Sequence, residues 1–330
     1  MRIQTLDYHT AGEPLRILTG EPEEIPGDTM LAKRRFMQNH LDDLRKTLML
    51  EPRGHADMYG AVLTAPVTPD GDVGVLFMHN EGYSTMCGHG IIALVTAGLQ
   101  HELFTADDRQ SIRIDTPAGR ILARANLDST GAILSVTFRN VPSFVLPETC
   151  MVTVGERSVE AAIAYGGAFY AYVDAAQFDF KLDPSEAGRL IALGRKIKRA
   201  VSESVEIRHP SGDEDLGFLY GTIFVRTGKS VTHSRNVCIF ADGELDRSPT
   251  GTGVCGRAAI LHARGDIGLG QVLTIESILG TRFKVSCIEE TTVGSLPAIV
   301  AEVTGSAHMT GEHQFVVDPA DPLPQGFFIR

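Results

Sequence analysis

The chain has 330 residues, of which 43% are hydrophobic and 22% charged, and its formal net charge is −11. This length is enough for two domains with cores of their own, and the composition is that of an ordinary globular protein. The negative charge disfavours a nucleic acid or an anionic membrane as partner, because both bind clustered Lys and Arg. Neither a signal-like N-terminal segment nor a membrane-length apolar run is found, which predicts a cytoplasmic protein.

The cysteines are scattered along the chain and never form a Cys-X-X-Cys pair: Cys87, Cys150, Cys238, Cys255 and Cys287. An odd, scattered set is poor material for disulfides and predicts free thiols in a reducing compartment. The Cys and His positions also lack the clustered spacing of a metal site, so no metal is expected. Most of these cysteines are expected to pack as small apolar side chains.

In the first half, apolar and polar residues alternate over residues 3–7, and a turn follows at Ala11-Gly12-Glu13-Pro14. A helix is predicted from an N-cap at Asp28 to about Leu50, since apolar residues recur there at helical spacing. A second helix is predicted to begin near Cys87. Further strands are predicted over residues 72–78, 111–115, 120–125 and 133–138.

The second half repeats this mixture, with strands predicted over residues 159–164, 168–173, 218–226 and 236–240. Asp183-Pro184-Ser185-Glu186 has an N-cap Asp and Pro at the first helical position, which predicts a helix to about Ala200. Another helix should follow Thr250-Gly251 and end near Arg264-Gly265. Strands outnumber helices without a regular βαβα order, which predicts an α+β fold of two similar halves, each a curved sheet around one helix.

The prolines between Pro142 and Cys150 interrupt the strand pattern and mark the best boundary between the halves. The first domain is therefore predicted over residues 1–145 and the second over residues 146–304. The C-terminal tail, from about residue 305 to 330, is expected to pack back onto the first domain.

Two glycine-rich turns, 163 residues apart, share the pattern X-Gly-X-Gly before an apolar run: Met86-Cys87-Gly88-His89-Gly90 and Pro249-Thr250-Gly251-Thr252-Gly253. A helix N-terminus carries partial positive charge and unpaired N–H groups, which favour a thiolate and bind carboxylates. Cys87 is therefore a candidate activated thiol, with Gly88 and His89 as carboxylate-binding residues. The alternative is that Cys87 is a buried apolar residue at a helix start. A cysteine protease is not indicated, because no histidine is singled out as partner.

With further segments, these turns resemble the proline racemase family over nearly the whole chain. The segments are Asp7-Tyr8-His9-Thr10-Ala11-Gly12-Glu13-Pro14-Leu15-Arg16, Pro52-Arg53-Gly54-His55-Ala56-Asp57-Met58-Tyr59-Gly60, Asp115-Thr116-Pro117-Ala118-Gly119, Phe218-Leu219-Tyr220-Gly221-Thr222 and Asp246-Arg247-Ser248-Pro249. The resemblance implies two mostly antiparallel, pseudo-twofold-related halves similar to diaminopimelate epimerase, with the active site in the cleft between them. It also implies an enzyme that acts on a small molecule without a cofactor. A homodimer is one possible oligomeric state, and the sequence does not decide it.

The chain departs from the racemases of this family at Thr250, where those enzymes have a second cysteine; the dehydratase branch is similar to this chain in having Thr. Racemisation needs a base on one face of the α-carbon and an acid on the other, and a threonine hydroxyl titrates too high to serve as either. The resemblance therefore implies dehydration of trans-3-hydroxy-L-proline to 1-pyrroline-2-carboxylate. Cys255 is expected to be a packing residue rather than a replacement for the second cysteine.

Further roles are implied only by the resemblance. Cys87 would accept the α-proton, and Thr250 would lie on the opposite face of the ring. Asp246 would hold the ring nitrogen, while Gly88, His89, Gly251 and Thr252 would bind the carboxylate. Two alternatives stay open: an epimerase or racemase of proline-like substrates, and an inactive homologue that only binds such a ligand.

Overall fold

The computed structural model describes residues 1–20, 24–106, 108 and 110–329, and the chain divides into two compact units. Unit 1 comprises Met1–Phe138 and Ser306–Arg330, and unit 2 comprises Arg139–Gly305. The division falls after Phe138 rather than at residue 145. The reason is that the short strand Ser143–Val145 pairs with strands Arg157–Tyr165 and Leu296–Gly305, both of unit 2.

Unit 1 consists of strands with three helices. Its strands are β1 (Arg2–Thr10), β2 (Glu13–Leu18), β3 (Tyr59–Thr64), β4 (Val73–His79), β5 (Tyr83–Ser84), β6 (Ile112–Thr116), β7 (Gly119–Leu127), β8 (Ile133–Arg139, whose last residue belongs to unit 2) and, after unit 2, β19 (Ala307–Val316). Its helices are α1 (Met30–His40), α2 (Asp42–Met49) and α3 (Gly88–His101). The sheet is mixed: β1–β2, β3–β4, β4–β5 and β6–β7 are antiparallel, whereas β2–β3 and β4–β6 are parallel. The C-terminal strand β19 pairs antiparallel with β1.

Unit 2 is built in the same way. Its strands are β9 (Ser143–Val145), β10 (Cys150–Val154), β11 (Arg157–Tyr165), β12 (Phe169–Asp174), β13 (Leu219–Thr227), β14 (His233–Phe240), β15 (Glu244–Leu245), β16 (Val272–Glu276), β17 (Arg282–Val293) and β18 (Leu296–Gly305). Its helices are α4 (Ala187–Ser204) and α5 (Gly251–Ala263).

The strand pairings of unit 1 recur in unit 2 in the same order. β11–β12, β13–β14, β14–β15 and β16–β17 are antiparallel, and β12–β13 and β14–β16 are parallel. Helix α3 in unit 1 corresponds to α5 in unit 2, and both are buried over their first eleven residues. A helix without a solvent-facing side must be apolar all round, which explains why these segments lack the polar stripe of a surface helix. The prediction of an α+β fold with a central helix in each half is confirmed.

The long helix predicted from Asp28 to Leu50 is wrong in two details. The N-cap is Thr29, whose hydroxyl accepts a hydrogen bond from the Ala32 N–H at 3.1 Å. The helix is also interrupted at Leu41, where α1 ends and α2 begins.

Two other details also differ. The predicted turn after β1 is confined to Ala11 and Gly12, since Glu13 and Pro14 already belong to β2. Asp183 does cap a helical segment, but its first turn, Pro184–Glu186, is a 3-10 turn that leads into α4. None of the helices in the described part of the chain is long and apolar enough to cross a membrane.

Candidate active site

Cys87 is the N-cap residue of the buried helix α3. Its backbone is extended, with φ −144° and ψ 109°, and its sulfur accepts a hydrogen bond from the Gly90 N–H at 3.3 Å. The side chain is buried, with only 4% of the residue exposed. An N–H donor and the positive end of a helix both stabilise negative charge on the sulfur.

The imidazole of His89 lies beside this sulfur. Nδ1 of His89 is 3.1 Å from Cys87 Sγ, and Nε2 is 3.2 Å from the carbonyl oxygen of Pro14. A carbonyl can only accept, so Nε2 carries the hydrogen and Nδ1 is the nitrogen without one; the sulfur lies beside the ring, since Nε2 is also only 3.7 Å from it. Burial lowers the pKa of His89 to about 3, with the Pro14 carbonyl opposing that shift. The ring is therefore neutral near pH 7, and placing a proton on it is costly in the free protein.

Tyr59 supports the imidazole from one side. Its ring meets that of His89 edge-on at 4.8 Å between centroids, and its hydroxyl donates to Ser84 Oγ at 2.6 Å. The backbone is held as well, since the Thr10 hydroxyl donates to the His89 carbonyl at 2.9 Å. His55, a second histidine of the motifs, is exposed and contacts only the adjoining Ala56 carbonyl among the hydrogen bonds seen for its ring. It belongs to a surface turn.

Thr250 occupies the position in unit 2 that Cys87 occupies in unit 1. It is the N-cap of α5, but with φ 68° and ψ 97° and without a side-chain capping bond. A positive φ is unusual for a β-branched residue, and such strain concentrates at functional sites. The Thr250 N–H donates to Ser248 Oγ at 3.0 Å, whereas its own Oγ1 is buried and makes no hydrogen bond of normal geometry with any described residue.

The carboxyl of Asp246 lies near this hydroxyl. Its Oδ1 accepts from the Ser248 N–H at 2.7 Å. Burial raises the pKa of Asp246, and this effect is only partly offset by the Ser248 and Thr250 hydroxyls, the Ser248 N–H and the charge of Arg247. A buried carboxylate of this kind is stabilised by a cationic ligand, which would supply the missing opposite charge.

The first turn of α5 is held in place by tyrosines of β12. The Thr252 hydroxyl is 2.7 Å from the Tyr170 hydroxyl, and Tyr172 donates to the Gly253 carbonyl at 2.8 Å. Cys255 is fully buried on α5 and donates to the Gly251 carbonyl at 3.3 Å. Burial raises the pKa of this thiol well above its usual range, so it is a packing residue with no thiolate to offer.

The third residue after each N-cap is a glycine with no room for a side chain. A Cβ at Gly90 would lie 2.5 Å from Phe77 Cε1 and 3.0 Å from Cys87 Sγ. A Cβ at Gly253 would lie 2.5 Å from Ile223 Cδ1 and 3.1 Å from Thr250 Cβ. The repeated Gly-X-Gly pattern therefore has a steric cause, because it lets the N-cap side chain lie directly over the first helical turn.

The structure brings the sequence-predicted residues together within each unit. Cys87, Gly88 and His89 surround the start of α3, and a second group surrounds the start of α5: Asp246, Thr250, Gly251 and Thr252. The first N–H groups of a helix have no acceptor within it, so the amides of both starts are available to an anion.

Sequence analysis missed the Pro14 carbonyl and Ser248. Backbone acceptors leave no trace in a sequence, but Ser248, two residues after Asp246, fits an Asx-type turn. No group of three or more His, Cys, Asp or Glu suited to a metal ion occurs among the described residues.

A thiol–imidazole pair at the start of a buried helix, within a repeated α+β unit, is an arrangement suited to proton transfer. In a comparison with known proteins, the family model described as Proline racemase matches residues 5–328. The chain belongs to the proline racemase family.

Individual relatives are similar over their whole length. A trans-3-hydroxy-L-proline dehydratase of Colwellia psychrerythraea is 46% identical over 100% of this chain and 93% of the relative. A 3-hydroxyproline 2-epimerase of Burkholderia multivorans is 45% identical over 99% of this chain and 98% of the relative. The crystal structure of a hydroxyproline epimerase from Agrobacterium vitis, with bound trans-4-hydroxy-L-proline, superimposes with a TM-score of 0.92 at 29% identity. It covers 99% of this chain and 95% of that one.

Proposed function

We propose that this chain dehydrates trans-3-hydroxy-L-proline to 1-pyrroline-2-carboxylate and water, without a cofactor. The observation that carries the proposal is an asymmetry between two equivalent helix starts. One has the thiol of Cys87 beside an imidazole acceptor, and the other has the hydroxyl of Thr250. One acid/base group can remove an α-proton, but two are needed to invert the carbon. The 46% identity to the trans-3-hydroxy-L-proline dehydratase of Colwellia psychrerythraea also supports this proposal.

The thiol must lose its proton before it can act as a base. The Cys87 sulfur is 3.1 Å from Nδ1 of His89, and transfer of the thiol proton to that nitrogen would leave a thiolate beside an imidazolium whose Nε2–H donates to the Pro14 carbonyl. The Gly90 N–H and the helix start stabilise the sulfur charge. Because burial makes the imidazolium costly in the free protein, we expect substrate binding to promote the transfer.

The elimination follows from the stereochemistry of the substrate. In trans-3-hydroxy-L-proline the α-hydrogen and the 3-hydroxyl lie on the same face of the ring. The Cys87 thiolate takes the α-proton, the electron pair forms the Cα–Cβ double bond, and the C–O bond breaks. The same proton passes from sulfur to the departing oxygen, so that water leaves. The enamine product then tautomerises to 1-pyrroline-2-carboxylate.

The remaining residues are assigned to binding. The free first-turn amides of Gly88, His89, Gly251 and Thr252 suit the substrate carboxylate. The buried carboxyl of Asp246 suits the secondary ammonium, which would neutralise it. Thr250 is assigned to shaping the pocket and to a hydrogen bond from its buried hydroxyl, which lies near the Asp246 carboxyl, and not to proton transfer.

An epimerase is the second candidate function, because the relative from Burkholderia multivorans is named 3-hydroxyproline 2-epimerase. It would require the Asp246–Thr250 pair to deliver a proton to the opposite face. The raised pKa of Asp246 leaves that carboxyl closer to a proton-carrying state than an exposed one. A threonine relay is nevertheless a poorer acid than a thiol.

Turnover in D₂O with trans-3-hydroxy-L-proline separates the two functions. A dehydratase consumes the substrate and yields the pyrroline carboxylate, and no deuterated 2-epimer accumulates. An epimerase yields the 2-epimer with deuterium at the α-carbon and no pyrroline.

As a matched variant, Thr250→Ala should keep the rate of dehydration within about tenfold of the wild type, since it retains the thiol and removes only a hydroxyl. Loss of turnover with intact binding would show that Thr250 takes part in the chemistry.

A further inference from the structure

Unit 2 contains a cavity of about 290 Å³ on the α5 side of its sheet. Val225 and Thr227 of β13 line it, together with residues of β11, β12 and the later turns of α5. Alternate residues of a strand share a face, and Ile223, two residues earlier on β13, contacts the start of α5. The cavity therefore continues the same helix–sheet interface beyond the first turns of α5. Its volume equals that of roughly ten water molecules, enough for a small metabolite.

The buried end of this cavity is formed by Arg257, of which only 7% is exposed. Within the described part of the chain it forms no ion pair, and its Nε has no hydrogen-bond partner. Its one recorded bond is a long one, from Nη2 to Thr227 Oγ1 at 3.5 Å. Burial lowers the pKa of Arg257, and the nearby charge of Arg264 adds to that effect, while Tyr172, Asp266 and Asp174 oppose it. A buried guanidinium with so few partners is costly unless an anion joins it.

A second polar side chain beside the cavity also lacks partners. Asn236 of β14 lies opposite Val225 in the strand register, and it is fully buried. Neither atom of its side-chain amide makes a hydrogen bond with a described residue. Buried polar groups normally have partners, so this interface has unused hydrogen-bonding capacity in addition to that of Arg257.

The exposed lining of the cavity has two carboxylates and one further cation, Arg264. Glu160 of β11 and Asp174 of β12 line it, and both are exposed. A molecule with a carboxylate at one end and an ammonium at the other matches the buried cation and the two exposed carboxylates together.

We propose that this cavity is a second small-molecule site, which binds a free α-amino acid with its carboxylate on Arg257 and its ammonium towards Glu160 and Asp174. Arg257 lies seven residues after Thr250, roughly 10 Å along α5, so the ligand is separate from the residues assigned to chemistry. The proposal does not depend on the dehydratase activity. A ligand here contacts the same helix that begins at Thr250, which gives it a direct route to influence the start of α5.

Binding of each standard L-amino acid to the full chain tests the proposal, by thermal shift and by equilibrium dialysis. At least one should raise the unfolding midpoint of the wild type, and Arg257→Met should weaken its binding roughly 10- to 100-fold, as expected for a charged hydrogen-bonded pair. Arg257→Lys should bind the amino acid more weakly than the wild type and more tightly than Arg257→Met, since lysine keeps the charge but not the planar guanidinium. Arg189→Met, which removes an exposed arginine of α4, is the matched control and should leave binding unchanged.

Three outcomes would overturn the proposal. Binding that survives Arg257→Met lies elsewhere, and binding of inorganic phosphate without any amino acid shows a general anion site. A large fall in the unfolding midpoint of ligand-free Arg257→Met shows a structural role, since an arginine without an ion pair should cost little to remove. Ala162→Leu provides a second test, because it fills the cavity and leaves Arg257 in place; it too should abolish binding.

Discussion

At the scale of single residues, the chemistry depends on how one histidine is held. The carbonyl of Pro14 accepts from Nε2 of His89, which leaves Nδ1, 3.1 Å from the Cys87 sulfur, as the nitrogen without a hydrogen. The thiol thus has a base within hydrogen-bond distance although the two residues are only two positions apart in the chain. The contact between these two side chains at the start of α3 is therefore a local one within the Cys-Gly-His motif.

Cys87→Ser should lower kcat by roughly 10²- to 10⁴-fold, because a serine hydroxyl does not ionise at neutral pH and cannot take the α-proton. Substrate affinity should change little, since the first-turn amides stay in place. Steady-state kinetics together with calorimetric binding of trans-3-hydroxy-L-proline measures both. Cys255→Ala is the matched control: it removes a thiol that is equally buried near the other helix start, and it should keep kcat within a few-fold. A Cys87→Ser enzyme of normal kcat would contradict the assignment of the base.

His89 should also influence the pH dependence of stability. Its pKa is about 3 in the folded chain, against roughly 6.5 in the unfolded chain. As pH falls through this interval the unfolded state binds a proton that the folded state does not, so stability is lost, by up to about 1.4 kcal/mol per pH unit. Urea unfolding of the wild type and of His89→Asn between pH 8 and pH 4 should give parallel curves above pH 6.5. Below that value the wild type should lose stability more steeply, and equal slopes would contradict the buried neutral imidazole.

At the scale of elements, the two central helices begin in the same way because their first turns are sterically constrained in the same way. Gly90 and Gly253 each contact both the N-cap side chain and a large apolar residue of the sheet. Sequence analysis recognised these helices from the glycine pattern and the apolar runs that follow. It did not find the break between α1 and α2, because the apolar residues on either side of Leu41 keep helical spacing.

Gly90→Ala should displace the Cys87 sulfur or the Phe77 ring, since the new methyl group would lie 3.0 Å and 2.5 Å from them. We expect a loss of about 1–3 kcal/mol in stability and a loss in kcat of more than about tenfold, because the thiol leaves its contact with His89. Gly188→Ala on α4 is the matched control, for a Cβ there meets nothing within 4 Å. It should leave kcat unchanged and stability unchanged or slightly raised. A fully active Gly90→Ala enzyme would mean that the position of the thiol is not critical.

At the scale of the whole chain, unit 1 is assembled from both ends of the sequence. Arg16 of β2 connects these ends: it pairs with Asp7 of β1 at 2.8 Å, and its guanidinium lies 4.3 Å from the centre of the Phe315 ring on β19. It also donates to the carbonyls of Leu48 and Arg53 at 2.8 and 2.6 Å. One buried cation thus joins the N-terminal strands, the end of α2 and the C-terminal strand.

Arg16→Met should lower the free energy of unfolding by about 3 kcal/mol, because it leaves the Asp7 carboxylate buried without its main partner. Hydrogen exchange should show the loss first in β1, β2 and β19, with the amides of β13 and β14 in unit 2 affected less. Arg282→Met, which removes an arginine that is 61% exposed, is the control and should have an effect below about 0.5 kcal/mol. Equal loss of protection in both units would show that the chain unfolds as one cooperative body.

The sequence by itself was enough for the family, the α+β class and the starts of the two central helices. These depend on local features: glycines that sterics require, N-cap positions, and apolar runs. The presence of Cys87 in one turn and Thr250 in the other is also local, and our proposal of dehydration over epimerisation rests on it.

Only the tertiary structure decided which groups act on those residues. Pro14 fixes the His89 tautomer through a backbone carbonyl from another strand, and burial, a property of the packed chain, shifts the pKa values of His89 and Asp246 in opposite directions. Strand β19 pairs with β1 from the other end of the chain, and Arg257 is buried with few hydrogen-bond partners. Both features depend on residues that are far apart in the chain. Local periodicity carries no information on such contacts, because they depend on how distant segments pack.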